Sequence, residues 1–297
     1  MKRRDFIKTA AGTAAGIALF PSMTFSGTTK KSSLYVVSNG SPAALVKSAI
    51  EHMGGMSKFV NKGDTVVLKP NMSWDRVPEQ AATTNPEVVA EVVRQCFSAG
   101  ARKVKIFDNT LNEVRRCYKR SGIQEAAEKE GADVSYVRDR KFKMTPIPEG
   151  RLVKSWELYE DALDADVLIN LPIAKHHALS GISLGMKNYM GFLGGNRGKF
   201  HRDFDIKITD LNTKFRADLT ILDAYRMLLR NGPSGGSLKD VALKKTVVIG
   251  TDPVAVDAYG ATLFGLDPGT IGFLKEAGKR GLGHNNLSNI AVNTVTL

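Results

Sequence analysis

The chain has 297 residues, with 42 Lys plus Arg against 30 Asp plus Glu and a formal charge of +12. An apolar content of 42% with 24% charged residues excludes a disordered chain, since enough apolar surface is present to build a core. The basic residues are dispersed and no nucleic-acid motif accompanies them, so the excess charge points to a solvated basic face or an anionic small molecule, not to DNA or RNA.

The first 26 residues read as a leader. Lys2, Arg3, Arg4, Asp5, Phe6, Ile7 and Lys8 precede a weakly apolar run from Ala10 to Phe20. This pattern resembles a twin-arginine export signal, which implies the twin-arginine translocase as a partner and export of the folded protein to the periplasm. The run is too short to cross a bilayer about 30 Å thick, so no stable membrane anchor is expected, and Ser26 marks the expected cleavage region. Residues 27–297 then form a single α/β domain.

Strand and helix signals alternate after the leader. Leu34 to Val37 and Thr65 to Leu68 read as strands, with an amphipathic helix from Ala43 to Met53 between them. Thr84-Asn85-Pro86-Glu87 opens the next helix, with Asn85 as N-cap and Pro86 at the first helical position. Strands at Lys103 to Phe107 and Asp133 to Val137 flank a helix at Gln124 to Lys129. Residues 138–165 contain two prolines and short alternating runs, which suit an inserted hairpin or cap. Further strands follow at Val167 to Leu171, Asp218 to Leu222, Lys245 to Ile249 and Ile290 to Val295; Asp252 and Asp267, each followed by Pro, open the last two helices. The alternation predicts an α/β fold with a mainly parallel open sheet, helices on both faces and a small inserted hairpin or cap.

Polar residues gather directly after the predicted strands: Lys69 and Asn71, Asp108 and Asn109, Lys175 with His176 and His177, Asp223, and Thr251 with Asp252. In an open parallel sheet the ligand crevice lies beyond the carboxyl ends of the strands, so five strands are expected to converge on one site. Caps explain many Asp and Asn residues in such loops, but not Lys69, Lys175 or paired histidines. The densest block runs from Leu171 to Gly195 and adds Lys187, Asn188 and five glycines. Small residues at 181 and 185 are read as lying on a helix whose N-terminus faces an anion. Gly194 to Lys199 looks like a phosphate loop, but Leu193 and Phe200 stand where the motif needs Gly and a hydroxyl.

His176, His177, Lys175 and Lys187 are therefore the candidate catalytic residues, and Lys69, Asn71, Asp108, Asn109, Asn188, Thr251 and Asp252 the candidate cofactor-binding ones. His176, His177 and His201, near Asp203 and Asp205, are candidate ligands for a divalent metal, although no diagnostic ligand spacing accompanies them. Cys96 falls on an apolar helical face, whereas Cys117 has four cationic sequence neighbours that would favour a thiolate if they converged on it. Spacing does not decide whether the two pair. Two cysteines cannot supply the four thiolates of a usual iron–sulfur cluster within one chain.

Val67-Leu68-Lys69-Pro70-Asn71, Thr84 to Val88, Asp108-Asn109, the Leu171 to Gly195 block, Leu222-Asp223-Ala224, Asn231-Gly232-Pro233, Gly250 to Ala258 and Gly281-Leu282-Gly283 together resemble the domain of unknown function 362 family. The resemblance covers nearly the whole chain after the leader and implies a strand-end site more than a named cofactor. Some members of that family are iron–sulfur proteins with a cysteine-rich segment, a pattern from which this chain departs. Two functions follow as expectations: an exported redox or metal-dependent enzyme acting on an anionic ligand, or a non-catalytic periplasmic binding protein for an anionic solute.

Overall fold

Runs of β-branched residues bounded by turns form the strands, and Pro-opened amphipathic segments form the helices between them. The computed structural model describes residues 32–297, so the expected leader and cleavage region lie outside the described residues. The first half is β1 (Ser32–Ser38), α1 (Pro42–His52), β2 (Thr65–Pro70), α2 (Pro86–Ser98), β3 (Lys103–Ile106), α3 (Val114–Arg120), α4 (Ile123–Lys129) and β4 (Asp133–Val134). A separate hairpin follows, β5 (Phe142–Pro146) and β6 (Ser155–Tyr159), closed by the single turn α5 (Glu160–Leu163). The second half is β7 (Val167–Leu171), β8 (Ile173–His177), β9 (Gly181–Ser183), α6 (Gly185–Asn188), α7 (Phe204–Lys214), β10 (Leu219–Leu228), β11 (Val241–Gly250), α8 (Pro253–Thr262), α9 (Gly272–Lys279) and β12 (Ile290–Thr296).

The main sheet runs in the order β12-β1-β11-β10-β7-β2-β3-β4, with β8 pairing beside β10 and β9 beside β8. Most of its pairings are parallel. Alternate side chains of each strand enter different apolar layers, as the two-residue period of a strand requires. Val66 and Leu68 pack with Leu45 of α1, Val89 of α2 and Ile123 of α4 on one face. Val67 and Leu168 pack with Leu211 of α7, Val254 of α8 and Leu274 of α9 on the other. This is the expected α/β architecture with helices on both faces.

Two expectations are corrected. β11 runs antiparallel to both β1 and β10, with Gly250 opposite Thr220 at the start of β10. Thr251 and Asp252 therefore leave the sheet at the edge opposite the carboxyl ends of β2, β3 and β7, and four strands, not five, reach the crevice. The physical reason is the connection: a parallel return needs a crossover, usually a helix, whereas the chain between β10 and β11 carries one 3₁₀ turn. Asn231-Gly232-Pro233 and Gly235-Gly236 in that connection are turn chemistry that points to a direct return. The second correction concerns Gly181 and Gly185, which share no helix. Gly181 ends the β8–β9 turn at φ +72°, and Gly185 begins α6.

The caps read from sequence are in place. Asn85 accepts the Glu87 N–H at 2.9 Å, and Asp252 accepts the Ala255 N–H at 2.9 Å. Asp252 also accepts from the His284 ring Nδ1 at 2.9 Å, so its carboxylate is committed to this far edge of the sheet.

Candidate functional site

A cleft of about 620 Å³, its open mouth included, lies beyond the carboxyl ends of β2 and β7. Asn71, Ser73 and Trp74 line it from the loop after β2; Lys175, His177 and Ser183 from the β8–β9 hairpin; and Lys187 and Asn188 from α6. Gly191, Arg197 and His201 complete the wall. None of the residues lining this cleft is an Asp or a Glu.

α6 is held from behind. Asp257 on α8 accepts the N–H groups of Gly185 at 2.7 Å and Met186 at 2.8 Å, so the N-terminus expected to face an anionic ligand is occupied by this chain's own carboxyl. Burial pushes Asp257 up to about 7 while these two N–H groups act in the opposite sense. A chain of amides then fixes Asn188: its Nδ2 donates to the Lys69 carbonyl at 2.7 Å and to Asn170 Oδ1 at 2.9 Å, while its Oδ1 accepts from Asn71.

The lysines occupy three different environments. Lys69 is fully buried with its Nζ 3.0 Å from Asp108 Oδ1, and it also donates to the Pro70 carbonyl at 2.5 Å. Burial lowers its pKa and the Asp108 carboxylate opposes that shift. Asp108 Oδ2 accepts from the Met72 N–H and Ser73 Oγ, so this pair supports the cleft from beneath Gly191 and does not line it. Lys175 has no carboxylate partner: it donates to the Ala82 carbonyl at 2.6 Å and Asn71 Oδ1 at 3.2 Å and lies 5.9 Å from the Trp74 ring. Desolvation brings it down to about 7.

Lys187 sits 2.8 Å from His177 Nε2, and burial lowers it to about 7 as well. His177 Nδ1 accepts the N–H groups of Leu179 at 3.1 Å and Ser180 at 3.4 Å. Desolvation above all, helped by the positive charge of Lys187 and Lys175 whenever they are protonated, holds His177 down at about 3, so the ring is neutral and carries one proton. Because Nδ1 is an acceptor, that proton is on Nε2. Nε2–H therefore donates to Lys187 Nζ in its neutral form, which accepts through a lone pair and is favoured above its value of about 7. Its own N–H groups are left for Ser180 Oγ, 3.2 Å away, and for the cleft. The Phe204 ring, 4.8 Å from Nζ, favours the ammonium, and the ring N–H of the neutral histidine opposes it.

Strand alternation separates the paired histidines. Lys175 and His177 enter the cleft, while His176 turns to the other face of β8, where its Nδ1 accepts the Gly232 N–H at 3.1 Å. His177 and His201 stack with ring centroids 5.6 Å apart, and His201 Nε2 has no hydrogen-bond partner among the described residues. The expected three-histidine metal set is thus not assembled: among the described residues no group of three or more His, Cys, Asp or Glu is placed to hold a metal ion. Asp203, which precedes α7, and Asp205, in its first turn, are both exposed.

The remaining candidates disperse. Asn109 donates to the Leu193 carbonyl at 2.8 Å and offers its own carbonyl to Arg197. Asp223 accepts from the Asn85 and Tyr225 N–H groups within the sheet. Cys117 is buried, and Arg116 and Arg120 turn away from it to Asp75 at 2.6 and 3.3 Å; burial pushes its thiol up to about 11, against the thiolate expected from its neighbours. Cys96 and Cys117 are both free thiols in the apolar layer under α2.

Arg197, Trp74 and His201's unpartnered nitrogen are the cleft features that sequence reasoning left unused. Arg197 donates to the Asn109 and Thr110 carbonyls at 2.5 and 2.9 Å, bonds that place its guanidinium at the rim. Its signal was available as the only arginine inside the glycine-rich stretch that fails as a phosphate loop.

Residues 66–262, which hold the cleft-lining and supporting side chains, match the family model described as Domain of unknown function (DUF362). The chain belongs to this family. Among curated relatives, a thylakoid-associated protein of Synechocystis sp. is 30% identical over 240 residues, covering 78% of this chain and 73% of its own. Among solved structures, the lactate racemase apoprotein of Thermoanaerobacterium thermosaccharolyticum aligns at 14% identity and a TM-score of 0.49, over 77% of this chain and 56% of its own. A Thermotoga maritima protein aligns at 11% identity and a TM-score of 0.44, over 76% and 60%. This DUF362 chain thus spans little more than half the length of those solved structures. Among its described residues no helix is long and apolar enough to cross a membrane.

Proposed function

We propose that this chain is an exported enzyme that binds a small anionic molecule in the cleft and acts on it by acid–base or nucleophilic chemistry at Lys187. The observation that carries this reading is the hydrogen bond from His177 Nε2–H to Lys187, which holds a neutral amine inside a basic cleft. A non-catalytic binding protein gains nothing from such a group, because a neutral amine adds little attraction for an anion. Lys175 supplies the charge: two carbonyl acceptors and an aromatic face suit an ammonium, whereas Lys187 is kept uncharged a short distance away. Burial brings both amines down to about 7, and they differ in their partners: Lys175 faces carbonyl oxygens that suit an ammonium, while Lys187 faces a ring N–H that suits a neutral amine. Arg197 and Ser183 then orient the ligand, while Asn188 and Ser73, whose donors are taken by Lys69, Asn170 and Asp108, shape the wall.

The test is calorimetric titration with inorganic phosphate and with pyruvate as probe anions. At least one is expected to bind, and for pyruvate, whose charge is constant over the range, affinity falls as pH is raised from about 6 to about 8.5, because the Lys175 ammonium is lost above its value of about 7. Lys175→Met is expected to weaken binding by about tenfold to a hundredfold and to remove the pH dependence. Binding that is unchanged in that variant overturns the assignment.

The proposed setting is outside the cytoplasm, supported by the leader pattern and by a relative associated with thylakoids. Replacing Arg3 and Arg4 by Lys is expected to retain the protein in the cytoplasmic fraction; unaltered export would remove the twin-arginine route.

A further inference from the structure

Lys187 combines three properties that seldom coincide. The tautomer of its partner favours the neutral amine, it faces a cleft large enough for a small molecule, and Lys175 and Arg197, neither of them ion-paired among the described residues, share that cleft. The tautomer is itself locked. For His177 to accept a proton from Lys187 at Nε2, the ring's own proton would have to move to Nδ1, breaking the bonds from Leu179 and Ser180 that close the β8–β9 turn. The neutral amine is therefore built into the hairpin.

A buried, uncharged lysine beside another cation is the arrangement that makes an amine nucleophilic toward carbonyl carbon near neutral pH. The absence of acidic lining residues and the presence of Lys175 and Arg197 add a requirement for negative charge on the same molecule. We propose that Lys187 forms an imine with a small 2-oxo acid, whose carboxylate is held by Lys175 and Arg197. This rests on the anion-binding reading above and names the substrate class. The Nζ lone pair forms the bond to the carbonyl carbon, giving a carbinolamine; both Nζ protons pass to the former carbonyl oxygen, which leaves as water as the C=N bond forms. No oxidant, reductant or metal enters this step. His177 Nε2–H, freed when the lone pair is used, becomes available to the departing oxygen, and His201 Nε2 is a second ring nitrogen in the cleft with no partner among the described residues.

The full chain is incubated with pyruvate or glyoxylate and sodium cyanoborohydride, then read by intact and peptide mass spectrometry. The expected result is one reduced adduct per chain, on Lys187. At saturating pyruvate its rate should rise up to about pH 7 and gain nothing above it, where an exposed lysine would continue to accelerate toward about pH 10. Lys187→Gln should lose the adduct while retaining measurable pyruvate binding by calorimetry, and Lys175→Met should slow labelling at Lys187 at least about tenfold at low pyruvate concentration. Pyruvate that binds without labelling Lys187, or adducts spread over surface lysines with no preference for position 187, overturns the imine and leaves the anion site intact. Failure of both probe anions to bind at all overturns the anion site together with the imine.

Discussion

Asp108→Ala is expected to lower the free energy of unfolding by about 3–5 kcal/mol, measured by urea denaturation at neutral pH. Lys69 and Asp108 are fully buried with Nζ and Oδ1 3.0 Å apart, so removing the carboxylate leaves an ammonium without its counter-charge in the layer beneath the cleft. The loss extends further, because Asp108 Oδ2 also accepts the Met72 N–H at 2.7 Å and Ser73 Oγ at 3.0 Å. The double change Lys69→Met with Asp108→Leu should recover part of the loss, since neither charge is then buried alone, but not the bonds to Met72 and Ser73. A loss below about 1 kcal/mol in the single variant, the range of an exposed pair, would mean that Lys69 has another way to be satisfied.

Gly191→Ala is expected to destabilise the protein by about 1–3 kcal/mol and to remove anion binding, because the methyl group must displace this same pair. A Cβ built at Gly191 overlaps Asp108 Oδ1 and lies 2.6 Å from Lys69 Cε and 2.7 Å from Lys69 Nζ. Neither neighbour is the free end of a surface chain: both are fully buried and bonded to each other. The backbone at 191 also accepts the Asn109 N–H at 3.0 Å, so retreat of the glycine would shift the Asn109 and Arg197 side of the cleft. Gly198→Ala is the comparison, since its Cβ would meet only the Asn196 side-chain oxygen at 3.1 Å; its stability should remain within about 0.5 kcal/mol of the parent. Equal melting of the two variants would remove the steric argument.

These two predictions concern residues whose neighbourhoods could not be read along the chain. Lys69 and Asp108 were recognisable as strand-end polar residues, because each directly follows a short apolar strand. That they neutralise one another under Gly191, instead of facing a ligand, depends on the 191 loop crossing over both strand ends. The same distinction separates Asn71 and Asn188, which line the cleft, from Thr251 and Asp252, which follow a strand just as directly but at the opposite edge. Strand period is local information, whereas strand direction is set by the path of the connection. In β10 to β11 that path is a turn-rich return, and its glycines and proline were the available clue.

The histidines give the sharpest case. Two adjacent histidines on a strand must face opposite ways, so His176 and His177 were separable as soon as Ile173–His177 was seen to be extended. The protonation of Lys187 is different in kind. It follows from two backbone N–H groups, at 179 and 180, turning back onto His177 Nδ1, a geometry created by the β8–β9 hairpin and invisible in residue types.

By itself the sequence determined the alternation of strands and helices, the Asn85-Pro86 and Asp252-Pro253 helix starts, the helices on both faces of the sheet and the concentration of lysines and amides near strand ends. Each of these rests on periodicity, cap chemistry or composition, which act within a few residues. Only the tertiary structure decided which strand ends share an edge, which lysine keeps a carboxylate partner and which is held neutral. Those outcomes depend on groups far apart in the chain, such as Lys69 with Asp108 and Lys175 with Asn71, meeting where water is excluded and each unpaired charge is costly.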